Sequence, residues 1–236
     1  LIKYIHFTEL FDADRLKKDV ERLESGAWKD HYNHSNYTGR WSTLQLRSIN
    51  GSLENNTAIH AGALQGGNVF KDSVLMKECP YIKKIVDHFK MEKTAVRLMK
   101  LDAGANIKPH SDPGLNFEDG EVRIHIPAIT NSQLHFFLES DRLVMEEGSC
   151  WYLNLALQHS VRNEGSAGRV HLVIDGIVND WVKAYFAQPQ HRAVYMQSLP
   201  HKDHSREDKI KIIAQLRQMN TDTGNRLADE MEMSLQ

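Results

Sequence analysis

The run "KPHSDPG", residues 108–114, sets His110 and Asp112 two apart, just before a Pro-Gly turn. In extended chain, positions i and i+2 share a face, so an imidazole and a carboxylate would point the same way. Downstream, "LQHSVRN" puts His159 at the head of another strand-like run, and Arg169 opens "RVHLVID" ten residues later. Two imidazoles and one carboxylate on one face of an octahedral ion leave three positions open, a set that Fe(II) accepts. The open positions admit a bidentate oxo-acid and leave a place for dioxygen. An arginine one strand further on can hold the remote carboxylate of such an acid through a bidentate ion pair.

A rival exists. "HKD" at 201–203 has the same His-x-Asp form, but it lies in the polar stretch "LPHKDHSREDK". No strand there brings a third ligand, and it reads as solvated surface. His31, His34, His60, His88 and His191 read as non-ligands. More telling are two strands with the same polar face: Arg123 with His125 in "VRIHIP", and Arg169 with His171 in "RVHLVID". Buried charge needs a partner, and a bound dicarboxylate would be one; half-exposed strands facing water are the alternative. Arg47, read as sharing a face with Gln45, and Arg97, with Met99, are candidate clamps for a substrate carboxylate. Structural ion pairs are the competing reading for both. Trp151 and Tyr152 read as core.

Elements must position these residues. Residues 8–25 predict an amphipathic helix with Thr8 as a possible cap, 41–49 a strand, 51–73 a long loop that could act as a lid (Asn55, Asn56, His60, Gly66, Gly67), and 80–90 a short helix. From 93 to 178 the chain alternates at period two in seven short runs, the pattern of an all-β sandwich or barrel. Residues 203–236 predict two helices. The expected fold is mainly β with helical flanks: a double-stranded β-helix (jelly roll, cupin-like) core plus N- and C-terminal helices. The expected division is 1–180 for the core and its flank, with 181–236 a helical extension packed on it.

Bulk properties agree. The sequence has 236 residues, 41% of them hydrophobic and 25% charged, with a net charge of −2. No strong field of one sign points to nucleic acid or an anionic membrane. Cys79 and Cys150 lie far apart, which fits a reducing compartment. No apolar run approaches a membrane span. The expectation is a soluble, cytoplasmic protein.

Taken together, "GRW", "LRS", "IKPHSDP", "VRIHIP", "EGSCWYLNLALQHSVRNEG" and "RVHLVID" resemble the aspartyl/asparaginyl/proline hydroxylases, Fe(II)- and 2-oxoglutarate-dependent dioxygenases, over about residues 37–180. The resemblance implies His110, Asp112 and His159 as iron ligands and Arg169 as the partner of the distal carboxylate of 2-oxoglutarate. It implies Arg123 and His125 as polar residues lining the cosubstrate and substrate pocket. It also implies O2 as co-reactant, with succinate and CO2 as products. The vertebrate-type enzymes lack the ligand carboxylate that Asp112 supplies here, whereas the bacterial free-proline enzymes have it. A free amino acid is therefore the expected substrate. An aspartyl or asparaginyl residue in a peptide is the alternative, and a non-catalytic jelly-roll module for a metal or small acid is the third.

Overall fold

The computed structural model describes residues 1–24, 26, 28–54, 69–196, 205–218 and 221–233. The proposed lid residues Asn55, Asn56, His60, Gly66 and Gly67, and the rival His201-Lys202-Asp203, lie outside them. The chain divides into two units, residues 1–196 and 197–236.

In the first unit the order is β1 (Ile2–Leu10), α1 (Ala13–Arg22), β2 (Lys29–Asp30), β3 (Tyr37–Thr38), β4 (Trp41–Ile49), β5 (Phe70–Asp72) and α2 (Pro80–His88). Then come β6 (Lys93–Leu101), β7 (Asn106–His110), β8 (Glu121–Ile129), β9 (Leu134–Leu138), β10 (Asp141–Leu143), β11 (Ser149–Leu153), β12 (His159–Asn163) and β13 (Arg169–Ile177). The unit ends with α3 (Asp180–Phe186) and β14 (Arg192–Tyr195). A large sheet runs β14-β1-β11-β8-β13-β6-β4-β2, with β5 beside β4, and a small sheet runs β10-β9-β12-β7-β3. All pairings are antiparallel. From β6 to β9 successive strands alternate between the sheets, and so do β11 to β13. This is the roll of a double-stranded β-helix.

Period-two alternation decides which side chains meet. On β8 and β13 of the large sheet, Val122, Ile124, Ile126, Val170, Leu172 and Ile174 turn outward into a core shared with α1, α2 and α3. The opposite face looks across to the small sheet. There Met99, Leu101, Trp151, Leu153 and Val173 pack with Ile107, Phe136 and Val161. Arg97, Arg123, His125, Arg169, His171 and Asp175 occupy this inner face, and all are buried. The half-exposed reading of the two Arg-x-His faces is thus excluded.

Two boundaries differ from the sequence expectation. The helix predicted over 8–25 begins only at Ala13, and its cap is Asp12, whose carboxylate accepts from Arg15 N at 3.0 Å. Thr8 belongs to β1, where Ile5 and Phe7 alternate into the outer core. Pairing with β11 and β14 outweighs the helical spacing of Leu10 and Phe11. The boundary expected at 180 falls after 196, because Val182, Tyr185 and Phe186 of α3 join the outer core and β14 pairs with β1.

The second unit contains α4 (Arg206–Gln218) and α5 (Asp222–Met233), which pack against each other. Arg217 bonds Asp229 at 2.6 Å and Glu232 at 3.1 Å. Among the described residues no helix is long and apolar enough to cross a membrane.

Candidate metal centre

His110 closes β7 and His159 opens β12, and the two are direct cross-strand partners. Asp112 lies two residues past β7, with its backbone N bonded to Leu155 O at 2.8 Å. One ligand atom from each of the three lies within 4.8 Å of the others. Each imidazole is oriented from behind: His110 Nδ1 donates to Lys108 O at 2.8 Å, and His159 Nδ1 to Leu157 O at 3.0 Å. Those bonds fix the tautomer and leave both Nε2 lone pairs for an ion, the usual arrangement behind a metal-binding histidine. Asp112 is split in the same way. Its Oδ2 accepts from Arg123 Nη1 at 3.1 Å, while Oδ1 stands 3.9 Å from His110 Nε2. The donor set and its geometry fit a divalent metal with open positions. Burial pushes the His159 pKa down to about 4, which keeps its imidazole neutral, as a ligand must be.

Two cavities meet at this triad. The inner one is lined by His125, Phe136, His159 and Arg169, among others. The outer one, about 300 Å³, opens past His31, Trp41, Arg97, Asp112, Arg123 and Asp175. Arg169 is 3% exposed, and its guanidinium makes no ion pair or hydrogen bond with the described residues; its Nε is buried and unpartnered. Burial with no counter-charge lowers its pKa to about 9, still protonated at neutral pH. A buried cation in this state calls for an anion.

The outer wall is a charge network. Arg123 forks onto Asp175, Nε to Oδ1 at 2.6 Å and Nη2 to Oδ2 at 3.0 Å. Arg97 Nη2 reaches the same Oδ2 at 2.5 Å. Burial alone would raise the Asp175 carboxyl, but the facing guanidiniums of Arg123 and Arg97 outweigh it and hold it below the ordinary range. Arg97 and Arg123 thus share Asp175, and Asp112 and Glu121 also line the outer cleft. His31 stacks on Trp41, ring centroids 3.6 Å apart, and burial drives its pKa down to about 3. It is an uncharged plate on the cleft wall and not one of the clustered metal-ligand residues.

The sequence candidates separate clearly. His110, Asp112, His159, Arg169, His125, Arg123 and Arg97 converge on the two cavities. Arg47 does not: it bonds Asp72, Phe70 O and Lys93 O, all at 3.0 Å or less. A bulge between Gln45 and Arg47 breaks the alternation that had placed them on one face. Arg47→Ala is therefore expected to cost about 1 kcal/mol of stability and to leave ligand affinity unchanged, measured by chemical unfolding and calorimetry. Trp151 is core, stacked on His6 at 4.1 Å. Asp175 is the site residue that the sequence reading does not reach, although it shares the face of Arg169 and His171 at even spacings.

A double-stranded β-helix carrying a two-histidine, one-carboxylate cluster beside a buried arginine with no partner among the described residues offers a site for one divalent metal and an anion. The family model described as aspartyl/asparaginyl beta-hydroxylase matches residues 11–178. The chain belongs to the aspartyl/asparaginyl β-hydroxylase family. It is 30% identical over 170 residues to L-proline cis-4-hydroxylase of Rhizobium meliloti (strain 1021), covering 70% of this chain and 57% of that protein. The chain thus spans little more than half the length of this curated relative. Among solved structures, a prolyl-4-hydroxylase from Pseudomonas putida superposes with a TM-score of 0.45 at 10% identity, over 75% of this chain and 94% of that one. A 2OG-Fe(II) oxygenase family oxidoreductase from Burkholderia pseudomallei gives 0.45 at 13%, over 70% and 80%. The fold assignment rests on the strand order described above.

Proposed function

We propose that the chain is an Fe(II)- and 2-oxoglutarate-dependent dioxygenase that hydroxylates a free amino acid of the proline type, in the cytoplasm. The observation that carries this reading is the pairing of two back-bonded histidines and Asp112 in one cavity with Arg169, which has no partner among the described residues. Bound at His110, Asp112 and His159, iron would couple oxidative decarboxylation of 2-oxoglutarate by O2, to succinate and CO2, with hydroxylation of a C–H bond.

The protein's own groups hold and shield. Arg169, with His125 beside it, takes the distal carboxylate of 2-oxoglutarate. Arg123 holds the outer oxygen of Asp112 and so presents the other to the metal. Arg97, with an unpartnered Nε on the cleft wall, is the best-placed clamp for a substrate carboxylate. Phe136, Leu155 and Val161 keep water from the inner cavity. An outer cleft of about 300 Å³ lies at the small end for ligand sites, which favours a free amino acid over a peptide. The identity to a proline hydroxylase points the same way. Cys79 and Cys150 are both free and buried, in keeping with a reducing compartment.

The test is succinate formation by anaerobically Fe(II)-loaded protein given 2-oxoglutarate, O2 and a panel of free amino acids and short peptides. Stimulation by a proline-like amino acid is expected. Stimulation by aspartyl or asparaginyl peptides alone would establish the peptide reading. No stimulation across the panel would leave a binding module.

A further inference from the structure

His125 and His171 lie on neighbouring strands of the inner face, 5% and 0% exposed, with Nδ1 facing Nδ1 at 3.4 Å. Burial and the nearby Arg169 lower both pKa values well below the ordinary range, so both rings are neutral. A neutral imidazole carries one N–H. Two N–H groups pointed at each other would repel, and so would two lone pairs. One proton therefore lies between the rings, and the tautomers are locked in opposition. If His171 donates from Nδ1, His125 accepts there and carries its own proton on Nε2. If His125 donates, its Nε2 is bare. Both Nε2 atoms are buried without a partner among the described residues, so in either arrangement one buried N–H has no acceptor there. His125 lines the inner cavity with Arg169, while His171 lines a second cavity of about 290 Å³ reached past Thr130 and Arg142.

We propose that His171 is a positioning residue: its Nδ1–H bond to His125 makes His125 Nε2 a donor to the carboxylate held by Arg169. This rests on the proposed function, in which that carboxylate is the distal one of 2-oxoglutarate. A carboxylate accepts and cannot donate, so its arrival favours the arrangement with the proton on His125 Nε2. Fixing that proton in advance removes a bare nitrogen that would repel the ligand.

The full chain, loaded with diamagnetic Zn(II), provides the test. Nitrogen-15 histidine NMR on adding 2-oxoglutarate is expected to show His125 protonated at Nε2 and His171 at Nδ1. By calorimetry, His171→Leu is expected to weaken 2-oxoglutarate about tenfold. His171→Asn, whose amide can donate from near the Nδ1 position, should stay within about threefold. Zn(II) affinity should be unchanged in both. The reverse tautomers in the complex, or a His171→Leu variant that binds 2-oxoglutarate like wild type, would overturn the role of His171 alone. Wild-type protein that takes up Zn(II) but no 2-oxoglutarate would overturn the functional reading and this role together.

Discussion

Asp112→Ala is expected to abolish substrate-stimulated succinate formation and to weaken metal binding by more than about a hundredfold, beyond the range seen when groups behind a ligand are lost. Asp112 is the one anion in the ligand set. It also neutralises Arg123 Nη1 at 3.1 Å. With alanine there, a guanidinium would face a divalent cation with nothing between them. The fold should tolerate the change, because the Asp112 side chain is 37% exposed and Arg123 keeps its fork on Asp175. Metal content after gel filtration, together with turnover, checks the claim. A variant that retains both would remove Asp112 from the ligand set. So would loss of metal on His201→Ala but not on His110→Ala.

Asp175→Ala should have the largest effect on stability, about 3–5 kcal/mol, the range for breaking a buried ion pair by removing one partner. Asp175 is the shared counter-charge of Arg97 and Arg123, and all three are buried. Without it, two guanidiniums would stand side by side in a low-dielectric interior. Its acid dependence has a definite sign. The folded pKa lies below the ordinary 3.8, so the stabilisation is complete above that pH and is lost as pH falls below it. Urea unfolding of metal-free protein at neutral pH and near pH 3 reads both effects. Equal stability of wild type and variant at neutral pH would contradict the account of this network.

Much of the site could be read from residue types and parity. His110 and Asp112 are local, and His159 and Arg169 each head a strand-like run; the fold sets those two strands in opposite sheets that face each other. What escaped depended on pairing between strands. Asp175 sits opposite Arg123 across β8 and β13, a register that no single strand reveals. Arg47 misled because the ladder of β4 with β6 shifts register between Gln45 and Arg47. Strand β7 does not stand out in the period-two pattern, because "NIKPH" has few apolar residues and carries Pro109. Its ladder with β12 shifts register just there, between Ile107 and His110. The end of β1, Thr8–Leu10, reads as the start of a helix because Leu10 and Phe11 suit helical spacing, and only its partners β11 and β14 decide otherwise.

The most direct measurement is a crystal structure of the protein with Mn(II) and 2-oxoglutarate, its metal located by anomalous scattering. The expected result is one ion bound by His110 Nε2, His159 Nε2 and Asp112, with the distal carboxylate of 2-oxoglutarate against Arg169. An ion bound elsewhere, or a distal carboxylate turned away from Arg169, would contradict it.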